Sequence, residues 1–432
     1  MNQPARAPSV LGRATISWAF YDWANSAFPT VIITFVFAAY FTKAVGADPV
    51  SATGDWGMAM ALSAFAVAIM GPLLGAVADL GGRRKPWLLF FTYACVISTA
   101  LLWFVEPDPT WALYALMLVG FANFAFEMGV VFYNSMLPSL APKKIMGRIS
   151  GWAWGFGYAG GLSCLALALV AFVQTDNPLF GIAKENALNI RATVLLVAVW
   201  FAVFSLPIFL FTPDKKSGAL GFAPAVKSGM TTLFMTIKNI KNHMPIAKYL
   251  FARMIYTDGT NTLFAFGGIY AAGTFGMTFS ELIMVGIAIN VTAGIGAAVF
   301  GWVDDWIGPK KTILIAIFGL LVFCVALVVV EGKTLFWIFA VPLGIFVGPI
   351  QAASRTFMAN LVPEKMETEM FGLYALSGKA TSFVGPALLG WLTVMFDSQR
   401  IGMTSIIIFL VVGALLLLGL PDPTRSKNIA AK

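Results

Sequence analysis

Gly75-Ala-Val-Ala-Asp-Leu-Gly-Gly-Arg-Arg-Lys85 and Gly301-Trp-Val-Asp-Asp-Trp-Ile-Gly-Pro-Lys-Lys311 place a glycine, an aspartate, a second glycine and a basic pair at matching positions. Each follows a long apolar run. Two further pairs keep the same order along the chain. Leu140-Ala-Pro-Lys-Lys144 is echoed by Leu361-Val-Pro-Glu-Lys365, each followed at the same distance by a glycine, Gly151 and Gly372. Asp22-x-x-Asn25-Ser26 is echoed by Asp258-x-x-Asn261-Thr262. Three coincidences in one order imply a duplicated unit.

The composition says where that unit resides. Of the 432 residues, 59% are hydrophobic and only 11% charged, far from the roughly 25% charged of soluble domains. Mean hydropathy is +0.84. At about twenty residues per crossing, the apolar runs predict twelve segments: 16–42, 56–78, 87–105, 111–138, 150–173, 191–211, 247–275, 281–303, 312–330, 334–361, 371–396 and 401–420. The expected organisation is a six-segment bundle over 1–211, a linker over 212–246 and a second bundle over 247–432.

Charge sets the expected orientation. If the segments alternate, Arg6, Arg13, Arg83, Arg84, Lys85, Lys143, Lys144, Arg148, the linker lysines, Lys310, Lys311, Lys365, Arg425, Lys427 and Lys432 share one side. Lys43, Lys184, Arg191, Lys333 and Arg400 take the other. This asymmetry puts both termini and the linker in the cytoplasm. Within the linker, Met230, Leu233, Phe234, Ile237 and Ile240 fall at helical spacing, with Lys227, Lys238 and Lys241 on other faces. The pattern reads as an amphipathic helix on the inner leaflet, or as a solvated linker.

Several function classes are disfavoured. The net charge of +8 is dispersed over short loops, as topology and anionic headgroups explain, so no nucleic-acid partner is expected. Cys95, Cys164 and Cys324 lie in apolar runs, and His243 is the single histidine, so neither disulfides nor a metal site is expected. No signal-peptide core precedes the first segment. Without a GxxxxGK[ST], HExxH or GxSxG motif, an ATP-driven pump or a membrane enzyme is not the expected reading, and no cofactor is expected.

Over nearly its full length the chain resembles the major facilitator superfamily. Gly75 to Lys85 is similar to that superfamily's signature loop between helices two and three, with Leu80 where a basic residue is common. More narrowly, Tyr21-Asp-Trp-Ala-Asn-Ser-Ala-Phe28 and Phe132-Tyr-Asn-Ser-Met-Leu-Pro138 resemble the Atg22-like, or UMF1, branch. Its fungal vacuolar members are associated with amino-acid efflux, and the short loops here resemble the bacterial form. The resemblance implies an all-α integral membrane protein of twelve transmembrane helices in two pseudo-symmetric six-helix bundles. It also implies a monomer in a bacterial inner membrane, with helices one, four, seven and ten around a central cavity for a small-molecule substrate.

The ionisable residues that the apolar runs leave unexplained fall on or beside those helices. A carboxylate in a low-dielectric site can take a proton from one side and release it to the other. Asp22, Glu127 and Asp258 are therefore the candidate proton carriers, with helix-pinning as the competing reading for each. Arg355 and Lys379 are candidates to hold an anionic group or to act as counter-charges. Arg355 stands only about six residues from its segment's end, so snorkelling or a gate contact competes. Asn25, Ser26, Asn134, Asn261, Tyr158 and Gln351 are candidate hydrogen-bonding groups, and Trp23 a candidate stacking surface. Gly75, Asp79, Gly82, Arg83, Arg84, Asp305 and Lys310 form the expected gate. There Asp79 faces the start of a helix from the other half, a contact that must break when the protein opens.

Overall fold

The computed structural model describes residues 12–215 and 222–422. Its elements are α1 (Arg13–Val45), α2 (Pro49–Gly81), α3 (Lys85–Phe104), α4 (Pro109–Leu140), α5 (Lys143–Val173) and α6 (Glu185–Phe211). After α7 (Phe222–Lys238) come α8 (Met244–Phe275), α9 (Phe279–Ile307), α10 (Pro309–Val329) and α11 (Lys333–Leu361). The series ends with α12 (Glu367–Ser377), α13 (Val384–Met395) and α14 (Gln399–Leu418). All regular structure among the described residues is helical.

Among the described residues, ten helices are long and apolar enough to cross a membrane. The other two expected crossings are α8, which spans 32 residues and carries Arg253 and Asp258, and the pair α12 and α13. Here the expected single helix over 371–396 is corrected, because the chain leaves the α-helical ladder between Ser377 and Val384. Lys379 N–H bonds Leu376 O, Ser382 N–H bonds Lys379 O and Val384 N–H bonds Thr381 O, three residues back each time. Such tightened turns mark hinges more often than plain helix does.

In α1, Pro29 has no N–H to continue the ladder, and Phe28–Phe35 winds as a wider π-helix. Val36 N–H accordingly reaches back five residues to Val31 O. Gly160 presses on this helix, since a Cβ there would lie 2.3 Å from Trp23 O.

The two halves meet along two seams, α2 and α4 against α12, and α5 against α9 and α11. Glycine lets backbones touch at both. A Cβ on Gly75 would lie 2.5 Å from Thr368 O, on Gly372 2.4 Å from Gly71 O, and on Gly151 2.4 Å from Ala297 O. The repeated glycines Gly151 and Gly372 thus do the same work in opposite halves.

Between the halves, α7 lies against α2, with Gly229 on Val77. It also reaches the second half, where Thr236 meets the Glu369 side chain. Met230 and Phe234 are exposed. The side chains of Lys227, Ile237 and Ile240, and all of Arg6, Arg425, Lys427 and Lys432, lie outside the described residues.

Candidate functional site

Arg355 of α11 is the point at which the halves are tied together. Its guanidinium is 3% exposed. Nη1 donates to Asp22 Oδ2 and to Asn134 Oδ1, each at 3.2 Å, Nε to Ser150 Oγ at 2.9 Å, and Nη2 to Ser150 O at 2.7 Å. Trp18, Tyr133 and Trp154 surround it, with ring centroids 4.9, 5.6 and 5.8 Å from Cζ. Asn25 Nδ2 steadies the other Asp22 oxygen at 3.4 Å, and Ser26 Oγ donates to Asn25 Oδ1 at 3.3 Å. A buried ion pair persists only when its remaining donors and acceptors are met. Here α1, α4 and α5 of one half supply those partners to a cation of the other. Arg355 therefore does not snorkel to the membrane surface.

A second cross-half pair lies in a wetter setting. Lys379 Nζ, in the break after α12, donates to Glu127 Oε1 of α4 at 2.8 Å, with side chains 31% and 20% exposed. Asp258, the repeat of Asp22, is buried and meets the Thr381 hydroxyl in the same break. Its partner thus belongs to its own half, and the two copies of the motif do different things.

Beside the break lies a cavity of about 850 Å³. Thr30, Thr34 and Tyr158 come to it from the first half, and Asn261, Asn290 and Lys379 from the second. Its lining runs along the later part of α1 and α8 and the earlier part of α9 and α11. It therefore occupies the half of the bundle away from the loops at 82–84 and 362–366, a face called here the basic end.

At the basic end the duplicated loops cap each other's helices. Asp79 accepts from Thr368 N at 2.8 Å, Glu369 N at 2.9 Å and Thr368 Oγ1 at 2.8 Å, at the start of α12. Asp305 accepts from Gly147 N at 2.8 Å and Arg148 N at 3.3 Å, near the start of α5, and pairs with the Arg148 guanidinium. A carboxylate on the first N–H groups of a helix is favoured by both hydrogen bonding and the helix dipole. Arg84, 2% exposed, adds Glu367 at 3.0 Å, Asp79 at 3.3 Å and Ser135 O at 2.7 Å, while Lys215 reaches Glu367 at 2.8 Å.

Three expected gate residues are placed differently. Arg83 is exposed. Lys310 holds Leu418 O and Leu420 O in its own half, where the chain leaves α14. Gly82, at φ 78°, ends α2 in the left-handed region. The ring of Trp23, the candidate stacking surface, stacks on Trp200 and Phe20 within its own half. Gln351 sits half-buried one turn before Arg355.

Sequence reasoning passed over Trp18, Ser150, Arg253, Glu367 and Thr368. Arg253 lies 3.5 Å over the Tyr374 ring and donates to Tyr374 O and Ser377 Oγ, each at 2.8 Å. The repeat could have found Ser150 and Thr368, since both stand near the glycine pair Gly151 and Gly372.

Paired helical halves, tied at one end and enclosing a cavity toward the other, define a membrane transporter of the major facilitator superfamily. Solved members share the fold. A fucose transporter, FucP, in its outward conformation superposes with TM-score 0.73 at 15% identity, covering 94% of this chain and 97% of that one. The proton:xylose symporter XylE gives 0.69 at 14%, covering 95% and 96%. The family described as "Vacuole effluxer Atg22 like" matches residues 56–431, and the chain belongs to it. The uncharacterized MFS-type transporter YxiO of Bacillus subtilis is 29% identical over 95% of each chain. Autophagy-related protein 22 of Kluyveromyces lactis is 24% identical over 80% of this chain and 74% of its own.

Proposed function

We propose that the chain is a secondary active transporter that moves a small polar or zwitterionic, amino-acid-like metabolite by alternating access, coupled to protons. The setting is the cytoplasmic membrane of a bacterium, with the protein a monomer, both termini and α7 on the cytoplasmic side, and the basic end facing the cytoplasm. One observation carries the reading. The Arg355 and Asp22 pair joins the halves on the side where Asp79 and Asp305 also bind across them, while the cavity lies on the other side. Opening toward the basic end requires all of these contacts to separate.

In that cycle the units over 1–211 and 247–432 rock about the cavity. Protonating Asp22 removes the anion that holds Arg355, so a proton arriving from the cavity side loosens the latch. Glu127 offers a second carriage point beside Lys379. Asp258, held within one half, suits a proton store or a structural pin. The family's description as effluxers and the likeness to YxiO support transport. Phe35, Phe264 and Phe336 on the cavity wall favour a second reading in which the cargo is amphiphilic.

Proteoliposomes with an imposed proton gradient test the proposal. Substrate-dependent proton flux that Asp22→Asn or Glu127→Gln reduces supports it. Binding without flux would make the protein a sensor that keeps a transporter fold.

A further inference from the structure

The break between α12 and α13 is ringed by charges from both halves. Glu127 of α4 meets Lys379, Asp258 of α8 meets Thr381, and Arg253 of α8 holds Tyr374 O and Ser377 Oγ just before the break. Arg253 also lies against the break itself, 3.1 Å from where a Gly378 Cβ would stand. Two cations and two carboxylates therefore face one short non-helical stretch, and their formal charges cancel. Lys379 is the one charged residue among them that lines the cavity, whose other walls are amides, hydroxyls and apolar side chains. The buried pair Asp22 with Arg355 is already balanced, and the buried Arg84, with Asp79 and Glu367, belongs to the basic end.

We propose that Lys379 is the receptor for a substrate carboxylate, and that it accepts this group in exchange for Glu127. The cargo class is then a monocarboxylate with an apolar body, apolar amino acids included, and an ammonium group on it is dispensable. This deepens the transporter reading and rests on it for every step after binding. Charge and protons balance in the exchange. The Glu127 carboxylate takes one proton and becomes a neutral acid, while the Lys379 ammonium keeps its three protons and changes partner from Glu127 to the substrate.

The physical reason for the coupling is charge. An anion entering alone would leave one uncompensated negative charge among apolar walls, a costly state in a medium of low dielectric. An anion entering with a proton leaves the sum at zero. The exchange also cuts a tie between α4 and the second half, so loading weakens one of the cross-half contacts. Among the described residues no carboxylate lines the cavity, and Glu127 behind Lys379 is neutral in the loaded state, so nothing there rewards a substrate ammonium.

Three ligands of one shape separate the possibilities for the full chain purified in detergent: 3-phenylpropanoate, phenylalanine and phenylalaninamide. Both carboxylates are expected to raise the melting midpoint and the amide to leave it unmoved. Lys379→Gln should weaken carboxylate binding at least tenfold, and Lys379→Arg should keep most of it, which guards against a merely misfolded variant. Glu127→Gln should still bind, with an affinity that no longer improves as pH falls. The proposal is overturned if neither carboxylate binds, if the amide binds as well as they do, or if Lys379→Gln changes nothing. Carboxylate binding without flux in proteoliposomes would leave the anion site standing and remove the transport reading instead.

Discussion

Asn134 and Arg355 stand at equivalent positions of the two halves, each six residues before the leucine of the repeated Leu-x-Pro motif, and they hydrogen-bond each other at 3.2 Å. The relation between the halves therefore brings this pair of positions face to face. One copy carries the cation, and the other an amide that accepts from it. Two arginines there would repel, and two asparagines would leave Asp22 without a counter-charge.

Removing that cation should favour opening at the basic end. Leaving one member of a buried ion pair alone costs about 3–5 kcal/mol. Arg355→Gln is thus expected to shift the balance between closed and open basic ends by roughly two orders of magnitude or more. Arg355→Lys should not restore it, because an ammonium cannot reach Asp22, Asn134 and both Ser150 oxygens in one plane. Spin-label distances between Lys144→Cys and Lys365→Cys would report the opening. Adding Asp22→Asn to Arg355→Gln should recover part of the loss.

The two caps should differ in weight. Asp79 receives three hydrogen bonds at the start of α12 and stands beside the buried Arg84, whereas the partner of Asp305, Arg148, is 31% exposed. Losing a cap costs about 0.5–2 kcal/mol. Asp79→Ala is expected near the upper figure and Asp305→Ala near the lower. The same distance pair, read in both variants, ranks them.

Steric closure is separable from charge. Gly75→Val would drive a side chain into Thr368 O, which lies 2.5 Å from the Cβ position, whereas Gly81 faces open space. Gly75→Val should abolish flux and hold the α2 and α12 seam apart, with Gly81→Ala close to wild type. Fluorescence-monitored size exclusion shows whether both variants fold.

Acid should loosen the basic end through Glu367, the first residue of α12, four residues ahead of the apolar run that begins at Phe371. Burial raises its carboxyl, but Lys215 and Arg84 more than offset that and leave it below the usual glutamate range. A group lowered by a contact stabilises that contact fully above its unperturbed value of about 4.3. The contribution is lost as pH falls through the lowered value. Closure should therefore be insensitive to Glu367 near neutrality and weaken below about pH 4, and Glu367→Gln should remove that component of the pH dependence.

Much of this was legible in the residues. The signature loop put Asp79 opposite the start of a helix from the other half, and the repeat added Asp305 to the expected gate. The apolar runs themselves marked Asp22, Glu127, Asp258, Arg355 and Lys379 as charges that such segments do not tolerate without partners. Who pairs with whom was not legible. Asp22 and Asp258 share a motif, yet one meets an arginine of the other half and the other a threonine of its own. That difference depends on the break after α12, where no proline interrupts Gly378 to Phe383 and period alone reads as continuous helix. Trp18 and Ser150 escaped notice because a buried tryptophan or serine is ordinary until an arginine is found beside it.

The most direct test is a pair of distances tracked together. One runs between Lys144→Cys and Lys365→Cys at the basic end, the other between Asp176→Cys and Glu331→Cys at the opposite end, in the wild-type background and with Arg355→Gln. Alternating access about the central cavity requires the first distance to lengthen and the second to shorten in the variant. Two distances that both stay fixed, or that lengthen together, would contradict it.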